Sequence, residues 1–505
     1  MIGEQKTAYE RLKERLATIS DLRSTKSLLF WDQQTYMPRG GVEGRAEQMA
    51  TLSRLSHELL TDSDTVRLLD AAGEPEPSSE EWALLRRARR EYDRATKLPA
   101  ELVAEISRVT SMAEPAWVQA REESDWSLFA PHLEKVLSLE RESTEHLGYE
   151  DHPYDALLDA YEPGAKTSRL ASMFEELRKG VAPLISAVVQ LSRDGAESRA
   201  TPLYGGFSEA EQEKFGRAVI SAFGYDWKRG RQDRSVHPFC VSPGPSDVRI
   251  TTRFDRGWLA PALFGTMHEA GHALYTQGVN SKYARTPLGG GTSMGVHESQ
   301  SRLWENLVGR SRSFWSHYYP KLQEVFPEAL GGVDAETFYR AINVLEPSEI
   351  RVEADEVTYN LHILLRFELE VSLIEDTLSV AELPAAWNDK MEEYLGIAPK
   401  NDSAGVLQDI HWADGLFGYF PTYAIGNVLS VQLFDEAVRD HPEISEQIRE
   451  GEFSSLLGWL RENVHRHGAR YYPDELVERV TGRPLDTAPY LSYLTEKFGD
   501  LYDLD

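Results

Sequence analysis

Apolar residues recur at intervals of three and four along most of this chain, and that spacing most restricts the folds open to it. Residues 8–30 carry Tyr9, Leu12, Leu16, Ile19 and Leu22 at helical spacing. The segment 98–120 repeats the pattern, with Pro99 where a first helical turn tolerates proline. Similar stretches at 125–147, 167–193, 209–223, 334–344, 350–380, 422–440 and 453–465 predict a mainly α protein. AAGEPEPSSEE at 71–81 reads as a surface linker. One region departs from the rhythm. RSVHPFCVS (234–242) and SDVRITTRF (246–254) flank Pro243–Pro245 and predict a small β-hairpin. Such a strand edge can prop the next helix or pair with an extended peptide, and the sequence leaves both open.

Directly after the hairpin comes FGTMHEAGHALYTQG, residues 264–278. His268 and His272 stand four apart, so on a helix both imidazoles face one ion, with Glu269 beside them to take a proton from water. Given 14 histidines and 82 acidic residues, chance supplies this string about 0.06 times per chain. The competing reading is an amphipathic helix whose histidines pair with surface carboxylates. A catalytic zinc site needs a third protein ligand and an open position. GTSMGVHESQSRLWENLVGR (291–310) offers two adjacent donors, His297 and Glu298, on a second predicted helix. Neighbours on a helix point about 100° apart, so only one of them can serve, and spacing alone leaves the choice open.

The charge balance bears on partners. With 54 Lys+Arg against 82 Asp+Glu, the net charge of −28 disfavours nucleic acid and anionic membranes. Cys240 is the single cysteine, which excludes an intramolecular disulfide and a cysteine-rich zinc knuckle. It reads as a small hydrophobe rather than a nucleophile. The start lacks the basic and apolar regions of a signal peptide, and no run of about 18 apolar residues occurs. The expectation is a soluble cytoplasmic protein.

Six motifs in order carry a resemblance: HPF at 237–239, DVRIT at 247–251, HEAGH at 268–272, HESQ at 297–300, IRVEAD at 350–355 and GVLQDIHW at 405–412. With WDQQTYMPRGG near the start, they make the chain similar to the carboxypeptidase Taq (M32) metallocarboxypeptidases over its whole length. The resemblance implies one large helical zincin with two lobes flanking a deep substrate groove, a small β-sheet near the active site, and an architecture like neurolysin and angiotensin-converting enzyme. The expected division is a single peptidase unit over 1–505, with an N-terminal helical lobe of about 1–200 and a catalytic core of about 201–505. It further implies release of single residues from free peptide C-termini with proline disfavoured, a homodimer, and zinc that cobalt can replace.

By the same resemblance the metal ligands fall on His268, His272 and Glu298, and the general base on Glu269. A C-terminal carboxylate suits an arginine fork. Two arginines in the matched motifs can hold it: Arg351 in IRVEAD is the choice, and Arg249 in DVRIT is the second substrate-binding candidate, with a structural pair to Asp247 as its competing reading. His411, Tyr419 and Tyr423 resemble the His-and-two-Tyr segment of neurolysin-like peptidases. Tyr423 is then the oxyanion donor, His411 a supporting donor and Tyr419 a contact to the substrate end, with His237 a further candidate for this pocket. Two other functions fit less of the sequence: an oligopeptidase on the same scaffold, and a non-catalytic helical protein with a structural metal.

Overall fold

A computed structural model describes residues 6–192 and 200–504. Helices hold most of them, and local chemistry sets the helix ends. Thr7 starts Ala8–Thr35 through a reciprocal capping box with Glu10. Asp125 caps Trp126–Leu147 by accepting the Ser127 N–H. Glu209–Phe223 spans the predicted residues and stops at Gly224, whose φ of 102° suits glycine. The helix predicted over 167–193 is present as Thr167–Ser192, and residue 193 lies outside the described residues.

The stretch read as one helix over 350–380 is broken. Arg351–Glu353 forms a single 3-10 turn, 354–358 is irregular, and the helix proper is Tyr359–Ile374. The Asp355 carboxylate causes the break. It accepts from the backbone N–H groups of Glu346, Val357 and Thr358 and from the Thr358 hydroxyl, taking donors that a continuous helix would use.

Three strands form one sheet: β1 (Gly230–Arg234), β2 (Cys240–Gly244) and β3 (Asp247–Thr252), in the order β1-β3-β2. The expected hairpin is β2 against β3, antiparallel and irregular between Val241 and Gly244. It is shorter than the sequence suggested, because 235–239 forms a loop fixed to β3 through Thr251. β1 was not expected. GRQDR has no β-branched or aromatic residue, and it pairs parallel to β3 while buried Gln232 donates to the hydroxyls of Thr252 and Thr266.

The chain divides into two compact units, each built from three stretches. The first comprises Met1–Thr96, Ala200–Ile342 and Gln432–Pro484. It holds the sheet and the H-E-x-x-H helix, and its core joins Leu12, Leu16 and Ile19 to Val279, Tyr283 and Leu288. The second comprises Lys97–Arg199, Asn343–Val431 and Leu485–Asp505, with Phe367 packed against Tyr154 and Phe174. Each such buried side chain contributes about 1.5–3 kcal/mol. Among the described residues no helix is long and apolar enough to cross a membrane.

Candidate metal centre and substrate-binding residues

Within the first unit, His268, Glu269 and His272 lie on the helix Ala260–Gly278 and Glu298 on Met294–Arg302. Ser293 starts the second helix by accepting the Val296 N–H, which sets Glu298 in its first turns. The two helices meet at Gly271, which faces the backbone of Gln300 and Ser301, and beyond the second helix Gly309 faces the Met267 sulfur.

The imidazole Nε2 atoms of His268 and His272 lie 3.7 and 3.5 Å from Glu298 Oε2. Ligand atoms of these three residues fall within 4.8 Å of one another. The opposite ring edges are held. His268 Nδ1 is 2.8 Å from Glu305 Oε2, and His272 Nδ1 is 3.0 Å from the His297 carbonyl oxygen. Nδ1–H donation to those oxygens would leave both Nε2 atoms free to bind an ion, the tautomer that a metal ligand requires. The donor set of two neutral imidazoles and one carboxylate therefore fits a divalent ion.

Charge around this centre is balanced by Arg302. Its Nε is 2.7 Å from Glu298 Oε1 and its Nη1 3.3 Å from Glu305 Oε2. Burial pushes both carboxyls up, but Arg302 and the histidines outweigh it, bringing Glu305 down to about 2 and Glu298 lower still. Burial lowers the His297 ring to about 3, so it is neutral. Its Nδ1 sits 2.8 Å from His272 Nδ1, apart from the converging donors. Glu269 is buried and shifted upward, by desolvation first. It forms no hydrogen bond among the described residues, so both its oxygens remain acceptors.

Glu305, Arg302 and Gly271 were not singled out from sequence. Glu305 stands seven residues after Glu298, a spacing that signals a shared helix face. What hid it is a π-helical turn over Leu303–Val308, closed by the Gly309 N–H to the Trp304 carbonyl, which no local composition announces.

In the second unit, Arg351 is buried and makes a two-pronged pair with Asp409, Nε to Oδ2 at 3.0 Å and Nη2 to Oδ1 at 2.8 Å. Its Nη1 donates to the Tyr359 hydroxyl at 3.0 Å. Three of the five guanidinium N–H groups are thus used and two remain. The rings of Phe420 and Tyr423 lie 5.1 and 5.2 Å from its central carbon. Burial pushes Asp409 up, but Arg351 and Arg366 hold it well below the usual carboxylate range.

The Tyr423 hydroxyl is 3.4 Å from His411 Nε2, and Tyr419 stacks on the His411 ring at 5.7 Å. Desolvation lowers His411 to about 3, so its ring is neutral. Arg351, His411, Tyr419 and Tyr423 therefore form one cluster. Arg249 and His237 belong to the first unit. Arg249 forms the expected pair with Asp247, at 2.8 Å through both prongs, and lies 4.3 Å from the Trp31 ring. His237 is exposed in the loop before β2.

A helical chain that turns two imidazoles and a carboxylate toward one point from an H-E-x-x-H helix has the makings of a metal-dependent hydrolase. Residues 11–498 match the family described as carboxypeptidase Taq (M32) metallopeptidase. Thermostable carboxypeptidase 1 of Thermus thermophilus is 44% identical, covering 98% of this chain and 99% of its own length. Carboxypeptidase 1 of Bacillus subtilis is 39% identical, covering 96% and 97%. The crystal structure of the M32 carboxypeptidase from Deinococcus radiodurans R1 superimposes with a TM-score of 0.95 at 43% identity, over 99% of this chain and all of that one. The chain belongs to the M32, or carboxypeptidase Taq, family and is a metallocarboxypeptidase. A divalent metal and peptide substrates follow from that membership.

Proposed function

We propose that the metal is zinc, held by His268, His272 and Glu298, and that the enzyme removes single residues from free peptide C-termini. The observation that carries this reading is the convergence of two Nε2 atoms on one Glu298 oxygen, with each Nδ1 anchored behind it. When bound, the ion supplies a Lewis acid that polarises the scissile carbonyl and acidifies water at its open position. Glu269 takes the proton of the attacking water and passes it to the leaving amine.

Arg351 receives the α-carboxylate through the two donors that Asp409 and Tyr359 leave unused, which is the source of selectivity for chain ends. Tyr423 donates to the developing oxyanion, for which one donor supplies about 3–4 kcal/mol. His411 supports that donor and Tyr419 contacts the substrate end. From family resemblance the specificity is broad with C-terminal proline disfavoured, cobalt substitutes for zinc, and the enzyme is a cytoplasmic homodimer.

Metal analysis of the purified protein, with mass analysis of the products from one free peptide, tests the reading. Zinc at one equivalent and a ladder of C-terminal losses are expected. Undiminished cleavage of a C-terminally amidated peptide favours an oligopeptidase instead. Glu269→Gln should keep zinc while kcat falls about 10²–10⁴-fold, and unchanged turnover sinks the assigned base.

A further inference from the structure

The second unit carries an open cleft of about 530 Å³ that none of these assignments uses. Trp117, Val118, Arg121 and Glu122 of the helix Ala100–Glu123 form one wall. They recur four apart and so share one stretch of helix surface. Ile350 and the segment Asn401, Ser403 and Ala404 form the rest. The volume is that of a small-molecule site, and the lining is mainly apolar.

The polar groups narrow the ligand. Arg121 and Glu122 bring opposite charges to the same cleft, and neither forms an ion pair among the described residues. The Arg121 guanidinium lies 5.3 Å from the Trp117 ring. Val118 is left 41% exposed, apolar surface without a partner. A zwitterion with an apolar side chain matches all three features. Its carboxylate meets Arg121, its ammonium meets Glu122, and its side chain covers Trp117, Val118 and Ile350.

The cleft is also stitched to Arg351. Ile350 precedes it directly, and one amide joins the Ile350 segment to the Ala404 segment. Gln408 Oε1 accepts the Arg351 backbone N–H at 2.8 Å. Gln408 Nε2 donates to the carbonyls of Glu349 and Ala404, each at 3.1 Å, and of Gly405 at 3.2 Å. Asp409, the partner of Arg351, is the next residue. A ligand that shifts Ile350 or Ala404 thus acts on both members of that pair.

We propose that this cleft is a regulatory site for a free apolar amino acid, the chemical class that a carboxypeptidase releases, and that its occupancy alters substrate binding through Arg351. The coupling rests on the reading of Arg351 as the carboxylate-binding group, while binding in the cleft does not.

The test titrates L-phenylalanine calorimetrically into the full-length enzyme with its substrate site saturated by a reduced-amide peptide inhibitor. One equivalent should bind. Arg121→Gln should raise Kd about tenfold or more, and Ala404→Trp, which fills the cleft, should abolish binding. In turnover without the inhibitor, saturating L-phenylalanine should change KM for a free peptide about threefold more in the wild type than in Ala404→Trp. The proposal is overturned if the wild type binds none, if both variants bind as the wild type does, or if KM responds equally in wild type and Ala404→Trp. Failure of the Arg351 reading shows separately, as a wild-type KM in Arg351→Lys measured without amino acid.

Discussion

Gly271 lies so close to Gln300 that a β-carbon on it would stand 2.5 Å from the Gln300 carbonyl oxygen and 2.6 Å from the Ser301 α-carbon. Real β-carbons do not approach backbone so closely, so the glycine of HEAGH sets the distance between the helix of His268 and His272 and the helix of Glu298. Gly271→Ala should push these helices apart. Overpacking of this kind costs about 1–3 kcal/mol, and metal affinity should fall with it. Thermal denaturation with and without metal, beside a chelator competition, measures both. Wild-type affinity in the alanine variant would refute the spacing role.

Glu305 holds the Nδ1 edge of His268. Glu305→Gln keeps an acceptor but loses the charge, and Glu305→Ala loses both. Metal affinity should drop about 10–100-fold in the alanine variant and less in the glutamine variant. Chelator titration gives the constants, and kcat at saturating metal should move far less than affinity does. Equal affinities in all three proteins would make Glu305 a bystander.

Arg351 and Asp409 are both buried, so neither charge has water to replace its partner. Asp409→Ala strands a buried guanidinium and should destabilise the protein by about 3–5 kcal/mol. Arg351→Lys keeps the charge but loses the fork, and kcat/KM on free peptides should fall about 100-fold. Denaturant melts and steady-state kinetics read the two effects separately.

Glu140 gives a pH signature away from the metal. Burial, then the charge of Glu370, raises its carboxyl from 4.5 to about 8. Between those values the folded protein keeps a proton that the unfolded chain has released. Stability therefore falls as pH rises through that window, and the full penalty stands above about pH 8. Glu140→Gln should match the wild type near pH 4 and exceed it at pH 9, by on the order of 5 kcal/mol. Denaturant midpoints across pH decide this, and parallel curves would contradict it.

The candidate metal donors are legible in the sequence because their spacing is itself the chemistry: i, i+4 on a helix puts His268 and His272 side by side. Helix limits such as 209–223 were readable because apolar period and terminal glycine agree there. Strand β1 was hidden, since GRQDR becomes a strand only through pairing with β3. The break after Arg351 was hidden too, because Asp355 competes with the helix through a side chain that propensity treats as one more acid. The Arg351–Asp409 pair joins residues 58 apart, a distance over which periodicity carries no information. In both clusters the anchoring partners were the unreadable part: Glu305 behind His268, and Asp409 behind Arg351.

The three-stretch build of each unit bears on how the protein is made. The first unit needs residues up to Pro484, and the second needs Leu485–Asp505. At cellular synthesis rates, residues up to Thr96 wait on the order of half a minute or more before Gln432–Pro484 leaves the ribosome. During that interval Leu12, Leu16 and Ile19 lack Val279, Tyr283 and Leu288 until those too emerge. Neither unit is complete until the chain reaches Pro484, so translation stalled ahead of that point yields two unfinished cores rather than one finished domain. Nascent chains of this enzyme should depend on chaperone cover to a degree that their helical, locally connected secondary structure would not suggest.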